Sequence, residues 1–313
     1  MAGFPSISVV IPTRGRPQIV KRAVASALGQ TFHDLEVTVV IDGEDQATLA
    51  SLSAIDDARL RIVALPSSVG GAEARNRGVR SAKGKWIAFL DDDDEWLPTK
   101  LERQLEEALK ASVPFPVVCC AYWARLDSGD MLFGRRGPRP NEPISEYMFC
   151  RSGLIYGENA IATSVLFVPK VLMNAVPFDR MVKRHQDWDW ALRALAYPGT
   201  ALVYLDEPGA IYNMPSRAVR LSSSPDWRYS LAWCRERKAC LTPRAFSYFI
   251  VSECLTKALQ ANAGIGSLRE LFAAYWREGQ PDLRSFQMGL TSLLVPAWLR
   301  KLLRGTVLRI STS

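Results

Sequence analysis

The chain has 313 residues, with 39 Lys and Arg against 32 Asp and Glu, a formal charge of +7, and 48% hydrophobic residues. This mixture excludes disordered, coiled-coil and collagen-like chains, and the length suffices to bury roughly three quarters of the unfolded surface. The six cysteines, at 119, 120, 150, 234, 240 and 254, include no Cys-x-x-Cys, and with only His33 and His185 a zinc site lacks its usual ligands. They are expected to be reduced core thiols of a cytoplasmic protein.

At the start, no basic region precedes the apolar run, and Pro12 and Arg14 stand where a signal peptide would continue, so no export signal is expected. Ile7 to Ile11 reads as a buried strand, followed after Pro17 by a helical stripe of Ile19, Val20, Ala23, Val24, Ala27 and Leu28. Leu35 to Ile41, Leu60 to Leu65 and Trp86 to Leu90 read as further strands, and Leu101, Leu105, Ala108 and Leu109 as a second helical stripe after Pro98. Val117 to Trp123 and Ser164 to Val168 complete the strands. Alternation of this kind predicts an α/β fold with a mostly parallel sheet covered on both faces, and ligands beyond the carboxyl ends of its strands. Asp127 to Pro143 and Pro208 to Pro225 read as mobile loops, and from about Asp226 the pattern is helical. Phe286 to Leu299 is apolar but interrupted, and too short to span a bilayer.

The residues after each strand carry the chemistry. Pro12-Thr13-Arg14-Gly15-Arg16-Pro17 follows the first, and no Gly-x-Gly-x-x-Gly or P-loop occurs in the chain. Asp42-Gly43 follows the second and on its own reads as a turn. After Leu90 come Asp91, Asp92, Asp93, Asp94 and Glu95. Like charges so close raise one another's pKa unless a cation offsets them, and hard oxygen ligands favour Mg2+ or Mn2+, held by one or two carboxylates and substrate phosphates. The other reading is a solvated acidic turn capping the next helix, a role for which one acid suffices.

Taken in order, Ile11-Pro12-Thr13, Gln30-Thr31-Phe32, Asp42-Gly43, Ala74-Arg75-Asn76-x-Gly78 and Leu90-Asp91-Asp92-Asp93-Asp94-Glu95-Trp96-Leu97-Pro98 resemble the motifs of family 2 glycosyltransferases of the GT-A fold. The resemblance covers residues 6 to about 215. It implies a GT-A catalytic domain over 1–215, a helical C-terminal region over 216–313, and a nucleotide diphosphate sugar as donor. By similarity, Pro12, Thr13 and Arg14 line the nucleotide, Asp42 accepts from the base, Asp92 approaches the ribose and Asp93 ligates the metal on the diphosphate. Arg75 contacts the nucleotide or, equally, forms a helix-surface salt bridge. The family commonly has two acids after the second strand; here Ile41 takes the first place and leaves Asp42 alone.

Arg184-His185-Gln186-Asp187-Trp188-Asp189-Trp190 resembles the family's Glu-Asp motif at a helix start, with Gln186 replacing the Glu, and Asp187 matches its general base. An acceptor hydroxyl needs such a carboxylate to take its proton, and the implied reaction inverts the anomeric centre. A helix-capping acid is the plain alternative, with Asp189 its better holder. Asn159 to Ser164 is expected near the acceptor, and Tyr212 to Ser224 as a lid or a plain loop. The expected acceptor is a saccharide or lipid-linked saccharide, as in polysaccharide or glycolipid biosynthesis; nucleic acid is not an expected partner. Two other readings remain at this point, a magnesium-dependent phosphatase of the haloacid dehalogenase type and an inactive glycan-binding or partner-binding member. The C-terminal Val295 to Ile310 sets Trp298, Leu299, Leu302 and Leu303 among Arg300, Lys301 and Arg304, a pattern expected either to lie on an anionic membrane surface at its cytoplasmic face or to pack on the core.

Overall fold

The computed structural model describes residues 6–127, 129–151, 157–159, 161–214 and 224–295. In chain order these form β1 (Ile7–Thr13), α1 (Ile19–Leu28), β2 (Leu35–Ile41), α2 (Gln46–Ser53), β3 (Leu60–Ala64), α3 (Gly71–Ser81), β4 (Trp86–Phe89), β5 (Glu95–Trp96), α4 (Lys100–Lys110), β6 (Phe115–Leu126) and β7 (Gly129–Phe133). They continue with α5 (Ile144–Phe149), β8 (Phe167–Pro169), α6 (Lys170–Ala175), α7 (Gln186–Leu195) and β9 (Thr200–Met214), then α8 (Trp227–Glu236), α9 (Pro243–Phe249), α10 (Leu255–Gln260), α11 (Ile265–Arg277) and α12 (Leu283–Leu294). The chain divides into two compact units, one of Met1–Gly137 with Asn159–Ser216, the other of Pro138–Glu158 with Arg217–Ser313. The second unit thus takes residues from two stretches of chain.

The first unit is built on one sheet in the order β3-β2-β1-β4-β8-β6-β9-β5, with β7 beside β6. From β3 to β4 all pairings are parallel, and every residue of β2 is buried, as expected of a strand covered on both faces. Beyond β4 the expected parallel pattern breaks: β8 runs antiparallel to β4 and β6, β9 is parallel to β6, and β5 is antiparallel to β9. Two expected loops are partly strands. β7 occupies part of Asp127 to Pro143, and Pro208 to Met214 is the second half of β9, with residues 215–223 outside the described residues. The expected loop opens at Pro208-Gly209 because Pro and Gly weaken a ladder. The sheet absorbs it as an irregularity, Cys120 pairing with Leu205 but Ala121 with Pro208.

The sequence motifs are the joints of this unit. Gly78 lets α3 lie directly on β1: a Cβ there would sit 2.3 Å from Val10 Cγ1. Asn76 is buried and pairs with both backbone groups of Phe178, its amide donating to the carbonyl (2.9 Å) and its oxygen accepting from the N–H (3.0 Å). Gln30 donates to the carbonyl of Leu97 (2.8 Å) and accepts from the N–H of Leu101 (3.0 Å), so the end of α1 fixes the segment after the acidic cluster. All cysteines are free thiols, five buried and Cys240 partly exposed.

The second unit is helical. Arg244 on α9 bridges Glu146 on α5 (2.7 Å) and Asp282 (2.9 Å), and Asp282 forms a capping box with Ser285 at the start of α12. Leu283, Phe286, Leu290, Leu293 and Leu294 of α12 are exposed. Among the described residues no helix is long and apolar enough to cross a membrane.

Candidate active site

The expected site residues of the first unit gather beyond the carboxyl ends of β1, β2 and β4, in three linked clusters. The first surrounds Asp42. Its carboxylate accepts from Ser68 Oγ (2.8 Å) and from the N–H groups of Val69 (2.6 Å) and Gly70 (3.1 Å). It therefore shapes the loop that leads into α3, where Gly70 stands at φ 85. A carboxylate has about four lone-pair sites, so three donors leave room for one more, such as a ligand N–H. Arg14 donates to Ser68 Oγ (3.0 Å), which places it with Asp42 and not with the acids. Pro12 is partly exposed beside them, and the backbone N–H of Asp42 donates to the carbonyl of Thr13 (2.9 Å), which joins this cluster to the next.

The second cluster is the acidic run. Asp92 is buried, accepting from Thr13 Oγ1 (2.7 Å) and from Arg16 (2.8 Å), and burial raises its pKa against the lowering effect of the Thr13 bond and the Arg16 charge. Asp93 is more open, its side chain 30% exposed, with the same guanidinium at 3.3 Å. Asp94 points inward, accepting from Ser164 Oγ (2.5 Å) and the N–H of Asn213 (3.1 Å); burial, then repulsion from Asp91 and Asp93, pushes its pKa well above the carboxylate range. Glu95 faces Arg125 (3.6 Å) and Arg22 (3.8 Å). Part of the offsetting positive charge expected for these acids comes from the chain itself: arginines face four of the five, counting Arg75 on Asp91, and a buried Ser-Asn pair holds Asp94.

A divalent ion nevertheless fits at Asp93. Among the described residues no three His, Cys, Asp or Glu side chains form a ready metal cage. Mg2+ and Mn2+ do not require one, since one or two carboxylates and substrate phosphates suffice. Asp93 supplies a hard, partly exposed oxygen beside Asp92.

The third cluster joins the acids to α7. Arg75 is buried, donating to Asp91 (2.5 Å) and to Gln186 Oε1 (2.9 Å), with its guanidinium 5.6 Å from the centre of the Phe178 ring. Gln186 in turn donates to the carbonyl of Val182 (2.9 Å), which fixes the amide with its oxygen toward Arg75. Asp187, next along α7, accepts from the N–H of Trp188 (2.9 Å). Burial raises its pKa from the ordinary 3.8 to about 6; the Trp188 bond opposes this, Asp91 reinforces it and Arg75 opposes it. Asp189, by contrast, turns away, buried and paired with Arg193 (2.8 Å).

Three contributors escaped sequence reasoning. Arg16 contacts Asp92 and Asp93, but nothing in Arg14-Gly15-Arg16 says which arginine faces the acids. Tyr212 lies in the electrostatic field of Asp94, Asp91 and Asp187, and burial, then these charges, holds its phenol proton well past the usual range. Its place depends on the missed half of β9. Ser164 accepts from the N–H of Asp91 (3.1 Å) while donating to Asp94, so the end of the segment expected near the acceptor also shapes the acidic turn. Residue 160 of that segment, residues 215–223 of the expected lid and residues 296–310 of the tail lie outside the described residues.

A parallel half-sheet with an acidic turn after β4 and a carboxylate at the start of α7 is the arrangement of a GT-A fold. Residues 8–140 match the model of glycosyl transferase family 2. It is 28% identical over 247 residues to the amylovoran biosynthesis glycosyltransferase AmsB of Erwinia amylovora, covering 76% of this chain and 80% of that one. It is 39% identical over 113 residues to the succinoglycan biosynthesis protein ExoO of Rhizobium meliloti, covering 36% of this chain and 32% of ExoO. With WfgD of Escherichia coli, a UDP-Glc:alpha-D-GlcNAc-diphosphoundecaprenol beta-1,3-glucosyltransferase, it shares 31% identity over 109 residues, 35% of this chain and 43% of WfgD. The chain therefore spans less than half the length of the last two. Among solved structures, S. aureus TarS 1-349 in complex with UDP-GlcNAc shares the fold, with a TM-score of 0.53 at 16% identity, covering 92% of this chain and 79% of TarS. The glycosyltransferase match over residues 8–140 sets aside the phosphatase reading.

Proposed function

We propose that the chain transfers a sugar from a nucleotide diphosphate sugar to a hydroxyl of a saccharide or lipid-linked saccharide acceptor, with inversion, in polysaccharide or glycolipid biosynthesis. The observation that carries this reading is the Arg75 bridge, which ties Asp91 of the acidic turn to Gln186, the residue before Asp187. Donor-side acids and candidate base are thereby held by one buried cation. A relative named for amylovoran biosynthesis, another named as a UDP-Glc:alpha-D-GlcNAc-diphosphoundecaprenol glucosyltransferase, and a neighbour in complex with UDP-GlcNAc support the donor and acceptor classes.

In this reading Pro12, Thr13, Arg14 and Asp42 receive the nucleoside and Asp92 the ribose. Asp93 would hold Mn2+ or Mg2+, which supplies positive charge to the leaving diphosphate. Asp187 accepts the proton of the acceptor hydroxyl as its oxygen attacks the anomeric carbon, and the bond to the diphosphate breaks on the opposite face. A carboxyl with a pKa near 6 is mostly ionised at neutral pH yet a stronger base than an ordinary aspartate, which suits that task. The chain would work in the cytoplasm at the inner face of the membrane, with residues 216–313 as an accessory helical region. The intact Asp93 and Asp187 speak against an inactive binding member. Hydrolysis of nucleotide sugars in the presence of manganese tests the reading: turnover of at least one donor is expected, and none with any common donor would overturn it.

A further inference from the structure

The acidic run ends in a tight turn that β9 grips from outside. The N–H of Asp94 donates to the carbonyl of Asp91 (3.1 Å), so Asp92 and Asp93 form the tip of a four-residue turn. That closing bond leaves the carbonyl of Asp93 unused, and the buried side-chain amide of Asn213 donates to it (2.6 Å). The backbone N–H of Asn213 donates to the Asp94 carboxylate (3.1 Å), and its amide nitrogen also reaches Glu95 Oε1 (3.4 Å). Arg125 of β6, the register partner of Asn213, donates to the amide oxygen (3.4 Å). Reversing the amide would set oxygen against the Asp93 carbonyl and NH2 against the guanidinium, so its orientation is fixed.

The peptide between Asp93 and Asp94 is planar, and it is held at both edges, its C=O by Asn213 and its N–H by Asp91. Holding that plane sets ψ of Asp93 and with it the direction in which the side chain leaves the turn. Asp92 is fixed by a different route, through its carboxylate on Thr13 and Arg16. We propose that Asn213 is a positioning residue for the divalent ion: by clamping the Asp93–Asp94 peptide from β9, it holds the Asp93 carboxylate in the geometry that receives the ion. Mg2+ in particular demands near-ideal octahedral geometry, so a displaced ligand is felt directly in affinity. The assignment rests on the reading of Asp93 as the metal ligand.

The test titrates UDP into the full chain by calorimetry, with and without Mn2+, and reads the factor by which the ion tightens binding. In Asn213→Ala that factor should fall by about fivefold or more, the scale of one lost hydrogen bond. Asn213→Asp keeps the size of the side chain but sets an acceptor against the Asp93 carbonyl, so its factor should fall at least as far; it carries the test if removal of the amide unfolds the protein. UDP affinity without metal should stay within about twofold in both, because Asp42 and the Thr13–Asp92 bond keep their partners. Ile211→Val trims the packing of the same strand without touching the clamped peptide and should keep the wild-type factor. An unchanged Mn2+ factor in the Asn213 variants, or an equal loss in Ile211→Val, overturns the assignment. A metal-free affinity that falls as far as the metal-bound one overturns it too, because Asn213 then supports the nucleotide pocket as a whole. A wild type whose UDP affinity ignores Mn2+ removes the reading of Asp93 and the assignment with it, whereas a Mn2+ effect that Asn213 does not alter removes the assignment alone.

Discussion

Asp187→Asn is expected to make the protein more stable as it makes it inactive. The carboxyl titrates at about 6 in the folded chain against an ordinary 3.8, so the folded state binds its proton more tightly than the unfolded state does. Linkage then lowers stability as pH rises from 3.8 to 6, after which the loss is complete and constant. Its ceiling is (6 − 3.8) × 1.36, about 3 kcal/mol, and partial solvent exposure brings the expected value nearer ~1–2 kcal/mol. Asparagine keeps an oxygen to accept from the Trp188 N–H and removes the charge that Asp91 repels. Urea unfolding should therefore show the variant more stable than wild type by about that amount at pH 8, with the difference vanishing near pH 4. Transfer should drop by at least about a hundredfold with donor binding intact, the usual scale for a lost general base. A variant less stable than wild type at pH 8, or equally stable at both pH values, would refute the burial argument. Persistent transfer would move the base elsewhere.

Gln186→Glu puts a second carboxylate beside Asp187 and draws Arg75 away from it; both effects raise the Asp187 pKa, so the acidic limb of the kcat/KM profile should move up by roughly half a unit to one unit, and an unmoved limb would contradict the Arg75–Gln186 arrangement. Gly78→Ala drives a methyl into Val10 and should cost about 1–3 kcal/mol in urea unfolding, with part regained in the Gly78→Ala, Val10→Ala double variant; additive losses would show that the contact is not the cause. Full-length protein should sediment with anionic vesicles at low salt and be released by removal of residues 296–313; full-length protein that stays in solution would exclude the membrane role of the tail.

The strands from β1 to β4 were legible because buried parallel strands are continuous apolar runs, and Leu35–Ile41 stands as read. The mixed half of the sheet was not. β9 carries Asp206-Glu207-Pro208-Gly209 in mid-strand, a turn in any local reading, and only the pairing with β6 makes it a strand. Tyr212 and Asn213 reach the acids on that strand, so they were lost with it. In the motifs, residue type was legible but partner was not. Asn76 and Gln30 prove to be backbone clamps, and Arg75, left between nucleotide and salt bridge, pairs with Asp91 and Gln186 at once. Five adjacent acids implied a cation, and part of the offsetting charge came from arginines at 16, 22, 75 and 125, far apart in sequence.

The central claim, that the turn at Asp91 to Asp93 binds a nucleoside diphosphate through a divalent ion, is tested most directly by calorimetry of UDP with and without Mn2+, on wild type and Asp93→Ala. Wild type should bind at least about tenfold more tightly with Mn2+, the order expected when an ion bridges carboxylate and phosphate. Asp93→Ala should lose that difference while remaining folded. Equal affinity with and without the ion in wild type, or an undiminished Mn2+ effect in Asp93→Ala, would contradict the account.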